Sequence, residues 1–185
     1  MARLDLARTA FCVTIYSALA AMGCSDPPTP SAYAGLTITL ESPTRAEVGE
    51  CGVGASNSFR VGDPVPVSTD VGRPILSGEK GVTASCSVTG SSPYRVRANV
   101  STDDFEFELW GRVARDAPSR IEGTLTAAPP VDRNLYTNEC NITPIEVRKG
   151  ELFVNYDCDN APEHGYPDIG CRFKGIVAML RCTRE

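Results

Sequence analysis

A single mostly-β domain, an antiparallel β-sandwich or barrel-like fold braced by disulfides, is the fold class that the sequence predicts, and three observations carry it. Apolar and polar residues alternate at period two through much of the chain, the mark of strands with one buried face. The alternating runs are short, rich in Val, Ile and Thr, and separated by turn residues, in keeping with 16 glycines and 14 prolines in 185 residues. Six cysteines fall in the body of the chain, Cys51, Cys86, Cys140, Cys158, Cys171 and Cys182, an even set able to pair completely in an oxidising compartment.

The runs follow one another from Leu36 to Leu40 and from Val82 to Val88. The clearest alternation comes next: Tyr94, Val96, Ala98 and Val100 fall on one face and Arg95, Arg97 and Asn99 on the other. Phe105, Phe107 and Leu109 then alternate with Glu106 and Glu108, so two strands are expected to join at Ser101-Thr102-Asp103-Asp104. Phe105, Leu109 and Val113 also fit a helical stripe, but strand is preferred there. Strands are further expected over Arg120 to Ala127, Asn141 to Val147, Leu152 to Tyr156 and, by preference over a helix, Cys171 to Cys182. Trp110 is read as a core residue, continuing the apolar run before it.

The N-terminus is of another kind. Arg3 and Arg8 flank one acid, Asp5, and the 14 residues from Thr9 to Met22 carry no charge, which is a signal-peptide pattern. A membrane-spanning helix needs about 20 apolar residues, more than this run offers. The segment ends Leu19-Ala20-Ala21-Met22-Gly23-Cys24 and resembles the lipobox of bacterial lipoproteins, departing from it at Ala21, where leucine is usual. That resemblance implies cleavage before Cys24 and acylation of its thiol. Cleavage by the general signal peptidase after Ala20 or Gly23 is the alternative. Cysteine parity favours the lipobox: Cys12 leaves with the signal peptide, and a lipidated Cys24 leaves an even six.

Three segments are therefore expected: 1–23 as signal peptide, 24–35 as lipidated cysteine and Pro-rich tether, and 36–185 as the β domain. Of 18 Lys and Arg and 23 Asp and Glu, the signal peptide takes two and one, leaving 16 against 22, a net charge of −6. Nucleic acid is not an expected partner for so acidic a chain. Several acyl chains on one residue hold a protein durably at a bilayer, so the membrane is one, reached through the anchor. Ser25 after the cysteine resembles the outer-membrane class of the lipoprotein sorting rule better than the inner, with Asp26 next to it.

Within the body no catalytic residue, metal site or cofactor is expected. Ser77-Gly78-Glu79-Lys80 matches the Ser-x-x-Lys motif, but its glycines mark a turn, and neither Ser-Asp-Asn nor Lys-Thr-Gly follows. His164, the single histidine, has no Gly-x-Ser-x-Gly nucleophile to serve and reads as a loop residue. Between Lys149 and Arg172 lie Glu151, Asp157, Asp159, Glu163 and Asp168 without one Lys or Arg, and Asn160 adds an oxygen. This segment reads as a solvated acidic loop, its chemistry but not its spacing suiting Ca²⁺. Tyr156 and Tyr166 in the same stretch either stack on sugar or pack. Asn99-Val100-Ser101 and Asn141-Ile142-Thr143 fit the N-glycosylation pattern without meaning in a bacterial chain.

The expected function is thus a lipid-anchored envelope protein, a non-catalytic binding or structural module whose partner is a protein or carbohydrate. The alternatives are a glycosidase-like hydrolase using a carboxylate pair such as Asp157, Glu163 or Asp168, and a protease inhibitor presenting Asp159 to Gly170. Among the disulfides, Cys51 is expected to pair with Cys86 across a turn-rich stretch. Cys140 is expected to face Cys158 across a hairpin closed by the three-residue loop Arg148-Lys149-Gly150. A two-residue turn at Lys149-Gly150 competes, pairing Val147 with Leu152 and setting Asn141 opposite Cys158. The lipidation expectation is checked by mass spectrometry of membrane-extracted protein. A diacylglyceryl adduct on an N-terminal Cys24 is the outcome expected, and a chain starting at Ala21 or an unmodified Cys24 contradicts it.

Overall fold

A computed structural model of the chain describes residues 31–44, 51, 57–65 and 74–184. Ten strands follow in order: β1 (Tyr33–Glu41), β2 (Asn57–Val61), β3 (Ile75–Leu76), β4 (Thr83–Thr89), β5 (Tyr94–Ser101), β6 (Phe105–Val113), β7 (Ser119–Ala127), β8 (Arg133–Arg148), β9 (Glu151–Glu163) and β10 (Tyr166–Leu180). No helix occurs among the described residues. β6 and β10 are strands, as preferred over the helical alternative, because burial alternates along β6 with Phe105, Phe107, Leu109 and Val113 inside.

One antiparallel sheet holds all ten, ordered β2-β1-β10-β9-β8-β7-β6-β5-β4, with β3 on β1 beyond the end of β2. From β4 to β10 it is a plain meander, and the chain's first strand closes onto its last. Among the described residues no second sheet covers the apolar face, and the sheet curls into a half-barrel and buries that face against itself. Phe107 of β6 meets Tyr156 of β9 and Phe173 of β10, with ring centroids 4.9 Å and 6.5 Å away. Around them lie the fully buried Leu36, Ile38, Leu40, Leu109, Leu125, Leu135, Ile142 and Met179. The curl needs bends, and the ladder supplies register shifts in β7–β8, β8–β9 and β9–β10, where an extra residue sharpens the local twist.

Tyr156 carries a polar group into the centre of this packing. Its hydroxyl donates to the carbonyl of Thr37 on β1 at 2.7 Å, passing over β10 where Gly175 stands opposite it. Burial pushes the Tyr156 phenol well above its ordinary pKa, so the hydroxyl stays a neutral donor. The crossing requires glycine: a Cβ on Gly175 would stand 1.9 Å from the Thr37 oxygen and 3.0 Å from the Tyr156 hydroxyl.

The six body cysteines form Cys51–Cys171, Cys86–Cys182 and Cys140–Cys158. The expected Cys51–Cys86 pair is corrected: Cys51 bonds across to β10, and Cys86 to the segment after it. Nearness in sequence is a weak guide because each doubling of loop length costs only about 0.6 kcal/mol of closure entropy. Sheet topology decides instead, since curling brings edge strand β4 to the C-terminal segment. There the Thr183 N–H donates to the Cys86 carbonyl at 2.9 Å and the Val88 N–H to the Thr183 carbonyl at 3.0 Å. The segment thus covers part of an otherwise open edge.

Cys140 does face Cys158, with Cα atoms 4.0 Å apart, but by a route other than the expected one. The turn is the two-residue Lys149-Gly150, with Arg148 opposite Glu151 and Val147 opposite Leu152. Gly150 takes φ +88°. A bulge at Ile145, between the Pro144–Val154 and Glu146–Phe153 pairs, then adds one residue to β8 and restores Cys140 to Cys158. Ile145 is left 47% exposed.

The acidic segment is corrected too. It is a hairpin rather than a loop, because β9 runs on to Glu163 and β10 starts at Tyr166, leaving only His164-Gly165 between them. β1 starts at Tyr33, so the last three residues assigned to the tether belong to the sheet. The short strands β2 and β3 and the first half of β8 were not expected.

Gly175→Ala is predicted to destabilise the domain by about 3 kcal/mol, at the upper end of ordinary overpacking. Denaturant unfolding checks this, and a change below about 0.5 kcal/mol, the range of an indifferent surface site, contradicts the crossing.

Candidate functional site

A groove flanked by aromatic and charged side chains lies on the outer face of β4 to β8. Parity along β5 and β6 puts Val96, Ala98, Phe107 and Leu109 inside, and by the same rule Arg95, Arg97, Glu108, Trp110 and Arg112 outside. Trp110 is therefore not a core residue as expected. It stands half-buried on the outside, between Arg97 of β5 and Glu122 of β7 in the ladder. Together with Ser87, Val96 and Gly111 these residues line an open groove of about 450 Å³.

Two strands over, Tyr136 of β8 is 43% exposed, and its ring lies 6.3 Å from that of Trp110 at an interplanar angle of 31°. Its hydroxyl donates to Glu122 Oε2 at 3.0 Å. That hydrogen bond, with burial and the charge of Glu122, raises the Tyr136 pKa, so the ring is an uncharged platform at neutral pH. Two aromatic rings thus lie side by side on a face made of hydrogen-bonded strands.

The charges of the groove are unevenly matched. Glu108 receives a hydrogen bond and ion pair from Arg97. Arg95 and Arg112 stand directly opposite each other on β5 and β6, both exposed. Among the described residues, neither has a carboxylate within ion-pairing distance. Like charges directly opposed across a ladder are destabilising. This stretch of sheet therefore carries a guanidinium pair at a cost to stability, in a chain whose net charge is −5.

Of the other residues singled out in the sequence, Asn141, Tyr156 and Asp157 line a separate open groove of about 480 Å³, and Asp157 and Asp159 both face Arg172. Asp157 is bonded by Arg172 Nε at 2.7 Å, Glu163 lies 3.8 Å from Arg133, and Glu151 lies 2.7 Å from Arg148. The hydrogen bond from Arg172 to Asp157 outweighs desolvation and raises the guanidinium's pKa further. Burial alone would lift the Asp159 carboxyl. Hydrogen bonds from the Thr44 hydroxyl and N–H and from the Asn160 N–H, with the charge of Arg172, hold it below the ordinary range instead. Asp168 is exposed. Asp157, Asp159, Glu163 and Glu151 are thus bound to the protein's own cations and donors, and among the described residues no group of three or more His, Cys, Asp and Glu could hold a metal ion.

His164 sits exposed in the β9–β10 turn, its N–H donating to Asn134 O at 2.8 Å. The Ser77 hydroxyl accepts from the Ala84 N–H at 2.8 Å within the turn that leads into β4. Tyr156 packs inside, and Tyr166 is 62% exposed. Asn99 donates to Glu106 at 3.1 Å. Cys24 lies outside the described residues, whereas the six body cysteines are structural. The groove was legible only as parity: Phe105, Phe107 and Leu109 inside oblige Trp110 to be outside.

Trp110 is the only tryptophan, so it reports on this face without labelling. Its emission in the folded protein is predicted to be quenched by acrylamide measurably, though less readily than in the unfolded chain, as suits a half-buried indole on the outer face. A blue-shifted emission protected from quencher would place the indole inside and contradict the register of β6.

No protein-family model matches the chain, and no curated protein or solved structure does either.

Proposed function

We propose that this chain is a bacterial envelope lipoprotein, cut before Cys24 and acylated there, whose curled-sheet domain is a non-catalytic binding module. The observation that carries the binding role is the outer groove, where Trp110 and two uncompensated guanidinium groups face solvent on rigid strands. Surface aromatics and arginines are the residue types most often found anchoring a partner. Of the acids named for a hydrolase, Asp157 and Glu163 are paired with arginines and Asp168 is exposed, which favours this role over a hydrolase needing two carboxylates converging on one cleft.

The anchor rests on the lipobox-like sequence and on cysteine bookkeeping. Three disulfides use every cysteine after Cys24, which leaves Cys24 without a partner in the mature chain and suits a thiol consumed by lipid. Residues 24–32 then separate the acyl chains from the first strand at Tyr33. The outer membrane is the proposed location, on the strength of Ser25.

Membrane fractionation of cells producing the wild type and Cys24→Ala tests the reading. The wild type is expected in the membrane fraction and the variant in the soluble one, with its three disulfides intact. A soluble wild type, or a variant that stays on the membrane, overturns the anchor.

A further inference from the structure

We propose that the outer groove recognises an acidic saccharide chain, its carboxylate held between Arg95 and Arg112 and a sugar face laid on Trp110. The proposal rests on the binding-module reading and names its ligand class. Three observations combine. Arg95 and Arg112 are exposed and directly opposed on neighbouring strands, with Arg97 satisfied by Glu108, so the free positive charge is concentrated on that pair. A carboxylate bridging two guanidinium groups makes charge-assisted, bidentate hydrogen bonds and removes their mutual repulsion.

Beside the pair, the half-buried Trp110 ring and the exposed Tyr136 ring form a platform on the outer face, 6.3 Å between centroids. An apolar ring face rimmed by polar atoms suits a pyranose, which has apolar C–H faces and a polar rim. Ser87 and the Arg97–Glu108 pair supply such polar atoms at the groove wall. The groove is open rather than enclosed, and that shape admits a segment of a chain passing along the surface. Charge complementarity selects the acid: in a chain of net charge −5, two opposed guanidinium groups with no carboxylate partner among the described residues favour an anionic ligand at this place.

Titration of the folded, disulfide-intact protein with an oligomer of galacturonic acid, a neutral oligomer of galactose and oligoglutamate tests this, using Trp110 fluorescence and calorimetry. Binding of oligogalacturonate alone is expected, weakening steeply with salt. One charge-assisted hydrogen bond is worth roughly 1.5 to 3 kcal/mol, so Arg95→Ala and Arg112→Ala should each weaken binding at least about tenfold. Trp110→Ala should weaken it as well.

Arg112→Glu is the control for folding. It places an opposite charge across from Arg95, and its melting temperature should match or exceed the wild type's while binding is lost. Equal binding of the neutral oligomer, binding of oligoglutamate as tight as that of the sugar, or no saccharide binding overturns the proposal. Retained oligogalacturonate binding in Arg112→Glu overturns it too. Shortened oligosaccharides in the mixture would overturn the non-catalytic reading while leaving acidic-sugar recognition standing.

Discussion

The ring of Phe107 meets those of Tyr156 and Phe173 at the centre of the curled sheet, and this contact decides which side of every strand is inside. A lone sheet has no second layer to cover its apolar face. Only curling brings β6 against β9 and β10, and once those rings touch, the pleat fixes each neighbour by alternation. A slip of one residue would put Glu106 or Glu108 where Phe107 stands, which a filled core of Leu, Ile and Phe does not allow.

Around that contact the remaining features act as ties and clearances. The Tyr156 hydroxyl links β9 to β1 across Gly175, joining the two ends of the chain's body in the middle of the core. Gly123 makes a second clearance, since a Cβ there would stand 2.5 Å from Cys140 Sγ, so the Cys140–Cys158 bridge fits inside only against glycine. Cys51–Cys171 and Cys86–Cys182 hold far-separated parts of the chain to β10 and to the segment beyond it. Crosslinks over such long stretches restrict the unfolded chain most, by about 4 to 5 kcal/mol each in the entropic account. The outer face is left free of structural duty, and there the sheet tolerates an opposed arginine pair.

Much of the architecture was legible because it is local. The β5–β6 hairpin is written in the alternation of Tyr94 to Leu109 and the polar link between. The Cys140–Cys158 pairing was reached through a turn that does not occur, because the two-residue turn at Lys149-Gly150 and the bulge beside Pro144 change register in compensating ways, and Gly150 alone suits either turn. Non-local facts were not legible. Cys86 pairs with Cys182 because the sheet curls, and no property of the segment after Cys51 signals that. Asp157 to Asp168 reads as a loop since its many acids and prolines hide a hairpin whose charges are neutralised by Arg172 and Arg133, one of them from another strand. Trp110 was misplaced because hydrophobicity argued for burial where parity, the stronger rule on a strand, argued against it.

The inside-outside assignment of β6 is the point on which both core and groove depend, and a two-dimensional nuclear Overhauser spectrum of the folded domain tests it most directly. Cross-peaks from the Phe107 ring to those of Tyr156 and Phe173 are predicted, with the Trp110 indole connected to Tyr136 instead. An indole that shows cross-peaks to Tyr156 or Phe173 would contradict the register, and with it the groove.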